Sequence, residues 1–394
     1  MRILLGLPEP PLPFGHAAAR WFYVLLRGLA ERGHRVTAFA ACSRPEEILQ
    51  ARALFPAAAH DLRLYPHPRR KSVWNKWQTL RRPYSYTISP GFWRDFLREC
   101  SRGCDLLHLE TTWCGWLGQG HDPSGTVLNV HSLYDIDEAN EVPRSWSDRL
   151  RKALRRRAEH RLLGSAATLL ALTPRLREAL GAIAPRTPVH VVPLGLDLGL
   201  YPFIPAGQRL GPPLITLIGS MSWYPSRSAA VRLLTRLWPA IRRRVPGGKV
   251  QIVGWNAKEV LRPYLPQPDV EVAENVPETR PYFERTSVFL YAPERGSGMK
   301  VKVLEAFAYG VPVVTTSEGV EGLPAQDQVH AAVCEDDEGL VERTVALLGD
   351  RARQERQRRA ARELVQNCCN PRVTLDGVER CYADVIARQR KVAA

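Results

Sequence analysis

Short apolar runs alternate with predicted helices along the first part of the chain. Residues 2–6 predict a buried strand, residues 15–32 predict a helix that stops at Gly33, and residues 34–40 predict a second strand. This order is typical of a βαβ unit, which builds a parallel sheet. Ligands bind such sheets at the carboxyl ends of the strands, so we expect the loop that contains Gly15 to lie at a binding edge.

A second α/β series follows a segment rich in proline and glycine, residues 192–213, which is typical of a linker. At 394 residues the chain is too long for one ordinary hydrophobic core. We therefore predict an α/β fold with a first domain at residues 1–205 and a second at 206–372, followed by a C-terminal helix at 373–394. Further strands are predicted at 105–109, 126–130, 167–172, 189–192, 214–219, 249–254, 270–273, 288–291 and 311–315.

The stretch 297–316, SGMKVKVLEAFAYGVPVVTT, combines a loop, a helix and a strand. Ser297 is expected to cap a helix from Met299 to Tyr309. The first backbone N–H groups of that helix would form an anion site. Lys302 and Glu305 lie three residues apart and so share one helix face. From this spacing alone such a pair is more often a solvated ion pair. The alternative is a phosphate-neutralising lysine with a carboxylate that accepts from two ribose hydroxyls.

The same stretch closely resembles the donor-binding segment of retaining glycosyltransferases of the GT-B fold, family four. Val303-Leu304-Glu305-Ala306 and Gly310-Val311-Pro312-Val313-Val314 match the motifs Leu-Glu-Ala and Gly-x-Pro-Val-Val of that family. Gly298 and Lys302 fit a branch that carries Gly-x-x-x-Lys-x-Leu-Glu-Ala. The chain departs from the usual pattern at Ser297, which stands where the family has its first Glu.

The resemblance implies two Rossmann-like domains that face a cleft, with a C-terminal helix that crosses back to the first domain. It also implies a nucleotide diphosphate sugar as donor, with a set of donor-binding candidates from both domains. These are Gly15, Gly219, Arg227, Ser297, Gly298, Met299, Lys302 and Glu305. Glu305 would anchor the ribose, whereas Lys302, as a catalytic residue, would stabilise charge on the leaving diphosphate.

His131 is the second catalytic candidate because it directly follows a predicted buried strand. Asn129-Val130-His131 resembles the place where the family has a histidine that contacts the transferred sugar. A lone histidine is otherwise more often structural or simply exposed.

The pattern Asp135-Ile136-Asp137 matches the Asp-x-Asp metal clamp of the other major glycosyltransferase fold, GT-A. It lies in the opposite half of the chain from the helix that resembles a phosphate site, so we interpret it as an ordinary polar loop. No metal and no cofactor are expected, because the chain also lacks a Gly-x-Gly-x-x-Gly motif and paired Cys-x-x-Cys spacing.

The formal net charge of +15 is concentrated in two basic segments, residues 67–82 and 144–163. The second predicts an amphipathic basic helix, and the first places Trp74 and Trp77 among cations. An anionic membrane surface is therefore one partner that the sequence suggests, against the alternative that the arginines are merely solvated.

No nucleic acid is expected, since no nucleic-acid-binding motif accompanies the charge. The start of the chain lacks a secretory signal pattern, which favours a cytoplasmic protein, peripheral on the membrane if it binds there.

The resemblance thus predicts a metal-independent hexosyltransferase that acts with retention on a hydroxyl of a glycan or lipid-linked acceptor, in cell-surface or exopolysaccharide synthesis. Two alternatives remain open from the sequence. The same fold hosts nucleotide-sugar epimerases, and Ser297 in place of Glu would also suit a non-catalytic binder of nucleotide sugars or glycans.

Overall fold

The computed structural model describes residues 1–15, 17–68, 82, 85–119, 122–143, 145–205 and 211–393. Unit 1 comprises Met1–Asp135, Val142–Leu196 and Pro371–Ala394, and unit 2 comprises Ile136–Glu141 and Asp197–Asn370. The division after Leu196 precedes the expected boundary at residue 205, because the segment between them packs within unit 2. There Ile204 N donates to Tyr309 O at 3.1 Å.

Unit 1 is built on a sheet whose strand order is β3-β2-β1-β4-β5-β6-β7, with every recorded pairing parallel. The strands are β1 (Arg2–Leu7), β2 (Arg35–Cys42), β3 (Asp61–Pro66), β4 (Leu106–Glu110), β5 (Thr126–Val130), β6 (Thr168–Ala171) and β7 (Val189–Val191). The helices are α1 (Ala17–Glu31), α2 (Pro45–Leu54), α3 (Pro90–Ser101), α4 (Thr111–Gly115), α5 (Tyr134–Asp137), α6 (Trp146–Leu163) and α7 (Pro174–Ile183).

The central strands of this sheet are apolar on both faces, as expected where helices cover both sides. In β1, Ile3, Leu4, Leu5 and Leu7 are all buried, and β5 is buried along its whole length. The strand β3, which the sequence analysis did not predict, lies at the edge and is only half-buried. Its weaker apolar pattern explains why it was missed.

Unit 2 has a second parallel sheet, of order β10-β9-β8-β11-β12-β13. Its strands are β8 (Leu214–Ile218), β9 (Lys249–Gly254), β10 (Val270–Glu274), β11 (Val288–Tyr291), β12 (Val313–Thr315) and β13 (Ala332–Val333). Its helices are α8 (Tyr224–Arg232), a π-helical turn (Leu233–Leu237), α9 (Trp238–Arg244), α10 (Ala257–Leu261), α11 (Arg280–Arg285), α12 (Val301–Ala308), α13 (Asp337–Gly349) and α14 (Arg351–Cys368). The two parallel sheets confirm the predicted α/β fold class.

The last helix, α15 (Pro371–Ala393), belongs to unit 1. Glu379 accepts from His34 Nε2 at 2.8 Å and pairs with the Arg32 guanidinium, and Thr374 Oγ1 donates to Pro193 O at 2.8 Å. These contacts attach the end of the chain to the start and the end of the first α/β series.

In the part of the chain that the structure describes, no helix is both long enough and apolar enough to cross a membrane. The eight cysteines all lie in the described ranges and are free thiols.

Candidate functional site

The strand order of unit 2 reverses direction between β8 and β11, which are neighbours in the sheet but not in the chain. Open α/β sheets bind their ligands at this switch point, outside the carboxyl ends of the strands. Gly219 directly follows β8, and the loop after β11 leads into α12. The predicted residues Gly219 and Lys302 therefore belong to elements that meet at the expected edge.

Lys302 points its ammonium into a small polar and aromatic enclosure. Its Nζ donates to Ser226 Oγ at 2.5 Å and to Tyr291 Oη at 3.3 Å. The same nitrogen lies 4.6 Å from the ring centroid of Trp223 and 4.7 Å from that of Tyr291, where aromatic faces attract a cation. The enclosure holds the lysine head group in one place.

Two glycines shape the backbone of this region. A Cβ on Gly219 would lie 2.7 Å from Ser226 Oγ and 3.0 Å from Lys302 Nζ, so a side chain here would displace the lysine. Gly298 has a φ of +71°, a backbone conformation that residues with a side chain adopt only at a cost. Both positions were predicted, and the structure gives each a physical need for glycine.

The charges of this region strongly influence one another. Loss of hydration, helped by the neighbouring ammonium of Lys300 and opposed by the carboxylates of Glu305 and Asp137, lowers the pKa of Lys302 to about 7. Burial also lowers the pKa of Lys300, whose Nζ lies 3.2 Å from Glu321 Oε2. Lys302 is thus poised to gain a proton when an anion binds beside it.

The start of α12 differs from the prediction. The helix begins at Val301 with Lys300 at its N-cap, not at Met299 with a Ser297 cap. Ser297 lies three residues before this N-cap, and its amide and its hydroxyl both donate to Asp137 Oδ1, each at 2.6 Å. Met299 and Glu305, two further predicted donor-binding residues, are both buried.

Asp137 was interpreted from the sequence as part of an ordinary polar loop, and this interpretation was wrong. It is 5% exposed and belongs to unit 2, where its Oδ2 accepts from Trp223 Nε1 at 3.0 Å. Asp135, the other carboxylate of the motif, belongs to unit 1 and accepts from His160 Nε2 at 2.5 Å. The carboxylates of the two aspartates thus have different hydrogen-bond partners.

Arg227, another predicted donor-binding residue, is already engaged. Its guanidinium forms an ion pair with Glu141 and lies 5.3 Å from the ring centroid of Tyr224. The hydrogen-bond partners of Lys302 Nζ are thus neutral hydroxyls, whereas Arg227 is paired with a carboxylate.

In unit 1 the strand order reverses between β1 and β4, and His131 follows the neighbouring β5, as predicted. His131 Nε2 lies 2.8 Å from Glu110 Oε2, and its ring packs against Trp21 with centroids 5.9 Å apart. Gly15, in the loop after β1, is exposed with a φ of +83°. The buried carboxylate of Glu110 thus holds the His131 ring in one orientation. The sequence analysis had left open that this histidine is simply exposed.

Glu110 is the centre of this network and was not predicted as a site residue. It is fully buried, and it also accepts from Trp21 Nε1 at 2.8 Å and from Asn129 Nδ2 at 3.1 Å. Burial alone would raise its pKa, but the contacts with His108 and His131 outweigh that effect and lower the pKa of Glu110 to about 2. The available signal was a carboxylate at the end of a buried strand adjacent to the strand of His131.

The network continues to the C-terminal helix. His108 Nε2 lies 3.1 Å from Glu110 Oε1, and His108 Nδ1 is hydrogen-bonded to the hydroxyl of Tyr382 on α15. Tyr382 is itself buried, with its ring edge-on to His108. The position of α15 is therefore coupled to the carboxylate that orients His131.

Within the described ranges, no group of three or more His, Cys, Asp or Glu side chains is placed to hold a metal ion.

Comparisons with known proteins agree with this architecture. A sequence model described as Glycosyltransferase Family 4 matches residues 18–200, and one described as Glycosyl transferases group 1 matches residues 212–350. No curated protein sequence matches the chain significantly. Among solved structures, sucrose-phosphate synthase from Thermosynechococcus elongatus is similar with a TM-score of 0.72, 17% identity and coverage of 98% of this chain and 100% of that chain.

Two further structures cover nearly the whole chain. Anabaena HepE in complex with UDP and glucose has a TM-score of 0.68 and 13% identity, with 97% of this chain and 99% of that chain covered. A TarM variant from S. aureus, in complex with fondaparinux, α-GlcNAc-glycerol and UDP, has a TM-score of 0.69 and 8% identity, with 97% and 99% covered. Identities this low show the fold alone.

Two parallel α/β units with sites at their switch points define a protein of the GT-B class. With both family models matched, one in each half, the chain belongs to the group 1 glycosyltransferases of family four. The family that the motifs around Lys302 suggested is confirmed.

Glu110→Ala should lower the free energy of unfolding by about 3–5 kcal/mol, because it leaves the donors of Trp21, Asn129 and His131 without a buried acceptor. Glu110→Gln, which keeps one oxygen acceptor, is the matched variant and should cost clearly less. Urea denaturation followed by circular dichroism measures both. An alanine variant within about 1 kcal/mol of wild type would contradict a central role for this carboxylate.

The pH dependence follows from the lowered pKa of Glu110. Its contribution to stability is present above the ordinary glutamate pKa of about 4 and is lost as the pH falls through about 2. The stability difference between wild type and Glu110→Gln should therefore persist at pH 5 and shrink below pH 4. A difference that vanishes already at pH 5 would contradict the assignment.

Proposed function

We propose that this glycosyltransferase moves a hexose-like sugar from a nucleoside diphosphate sugar to a hydroxyl of a glycan or lipid-linked acceptor. The proposed transfer retains the configuration of the sugar and needs neither a metal ion nor a cofactor. It would serve the synthesis of cell-surface polysaccharide or exopolysaccharide.

The observation that carries the donor proposal is the enclosed ammonium of Lys302 next to the start of α12. A helix start offers N–H donors to an anion, and a lysine with a lowered pKa regains its full charge when a phosphate approaches. Anabaena HepE, which shares the fold, has been solved with UDP and glucose and also with UDP-glucose. These complexes support a nucleoside diphosphate as the donor's leaving group.

Each proposed site residue has a chemical task. Lys302 stabilises the charge that develops on the leaving diphosphate, an effect that is largest where water is excluded. Glu305, on the same helix, accepts hydrogen bonds from the two ribose hydroxyls with its two carboxylate oxygens. His131, oriented by Glu110, contacts the transferred sugar.

An anionic membrane surface is proposed as a further partner, and α6 carries that proposal. Trp146 is 77% exposed and Leu150 is 44% exposed, and Val142, just before the helix, is 82% exposed. The exposed basic residues of the same helix are Arg149, Arg151, Arg156, Arg157 and Arg161. The other basic segment, with Trp74 and Trp77, lies outside the described residues apart from its ends.

Donor binding should be visible as thermal stabilisation by one of UDP, GDP or ADP or by the corresponding nucleotide sugar. A ligand at about 100 times its Kd adds about 3 kcal/mol to the stability of the folded state. Glu305→Ala should lose most of this shift, whereas Glu294→Ala, which removes an exposed carboxylate from the preceding loop, should keep it. If no ligand of the panel shifts the wild-type transition, the proposed function is wrong.

Membrane binding should depend on both charge and exposed apolar side chains. In liposome flotation the wild type should rise with vesicles that contain anionic lipid and stay down with neutral ones, since each cation near the surface contributes about 1 kcal/mol. Trp146→Ala should weaken flotation, and Trp255→Ala, which removes an exposed indole from unit 2, should not. Absence of flotation with both vesicle types would refute the proposal.

A further inference from the structure

The segment Ile136–Glu141 belongs to unit 2 although the chain on either side of it belongs to unit 1. Three of its residues contact the start of α8 and the loop before it: Asp137 through Trp223, Asn140 through a 3.2 Å hydrogen bond from Tyr224 Oη, and Glu141 through Arg227. The segment is thus anchored beside the Lys302 enclosure, which shares Trp223 with Asp137.

Asp137 is the member of this segment that reaches the loop before α12. Its carboxylate accepts three hydrogen bonds, two at Oδ1 from Ser297 and one at Oδ2 from the indole of Trp223. Its negative charge also acts on both Lys300 and Lys302. A carboxylate has about four acceptor positions, so these three protein donors leave capacity for one more.

The position of this carboxylate is informative because of the residue that it contacts. Ser297 stands where the resembling family carries its first glutamate, so the loop before α12 lacks that carboxylate. Asp137 brings a carboxylate within 2.6 Å of the Ser297 hydroxyl from a position 160 residues earlier in the chain. Asp137 therefore supplies, from a different segment of the chain, a carboxylate next to the position of the missing glutamate.

On the basis of the proposed function, we infer that Asp137 is a specificity-determining residue that accepts a hydrogen bond from a hydroxyl of the transferred sugar. Trp223 and Ser297 fix the orientation of its carboxylate for that contact. A sugar without a hydroxyl next to Asp137 leaves one acceptor position of this buried carboxylate unpaired. Such a sugar should therefore bind with lower affinity.

A purely structural role for Asp137, as a clamp on the loop at Ser297, makes a different prediction. A clamp would support every ligand of the site equally, including the diphosphate without a sugar. A sugar contact affects only the additional affinity that the sugar provides. The ratio of the Kd of the diphosphate to the Kd of the matching nucleotide sugar separates the two roles.

The test is isothermal titration calorimetry of wild type and variants with UDP, GDP and ADP and with UDP-glucose, GDP-mannose and ADP-glucose. Asp137→Ala should lose about tenfold or more in affinity for the nucleotide sugar beyond any change in its affinity for the diphosphate, since the charge of Asp137 also acts on Lys302. Asp137→Asn, which keeps the shape, should lose less. Tyr224→Phe is the matched control, since it removes another anchor of the same segment and should leave the ratio unchanged.

Relocation of the carboxylate provides the decisive variant. Asp137→Ala combined with Ser297→Glu returns a carboxylate to the same place from the other chain segment, and it should restore the affinity for the nucleotide sugar. The inference is overturned if Asp137→Ala weakens both ligands alike or if the double variant is no better than the single one. Failure of every diphosphate to bind the wild type would overturn the proposed function and this inference together.

Discussion

The enclosure of the Lys302 ammonium is the constraint on which the site in unit 2 depends. A charge taken out of water is costly unless other groups replace its hydration. Here a serine hydroxyl, a phenol and two aromatic faces provide partial compensation, and the carboxylates of Asp137 and Glu305 add favourable charge. The lowered pKa shows that this compensation is incomplete. An anion that binds beside Lys302 would complete it, so the cost of burying the lysine favours binding of a phosphate.

Unit 1 shows the opposite balance around Glu110. This carboxylate is more buried than Lys302, yet its pKa is lowered because four side chains turn donors or cations toward it. The site of His131 is thus preorganised in the absence of any ligand. Since the network runs through His108 to Tyr382, the C-terminal helix stabilises the same carboxylate that orients the histidine.

Local patterns in the sequence were sufficient for the fold class and for part of the site. The alternation of apolar runs and helices gave both parallel sheets, and the spacing of Lys302 and Glu305 together with the motifs around them identified the family. The start of α12 was misplaced: the helix begins at Val301, and the amide and hydroxyl of Ser297 donate to Asp137. A hydrogen bond between residues so far apart in the chain leaves no trace in local spacing.

The two carboxylates that organise the site regions were missed for related reasons. Asp137 lay in a recognised motif, but its distance along the chain from the helix argued against a shared role, and only the fold brings the two together. Glu110 was visible as a polar residue at the end of an apolar strand, yet its importance comes from donors on α1, on β5 and in the loop after β5, which converge on it together with His108 of its own strand. Long-range convergence of this kind follows from topology and not from composition.

Proton uptake on diphosphate binding tests the central claim most directly. Calorimetry in two buffers of different ionisation enthalpy, at pH 8, should show uptake of about one proton per diphosphate, because free Lys302 is mostly neutral above its pKa of about 7 and becomes charged in the complex. Affinity should also fall as the pH rises above 7. Lys302→Arg, whose guanidinium stays charged, should abolish the uptake. Binding without proton uptake in the wild type, or equal uptake in the variant, would contradict the account.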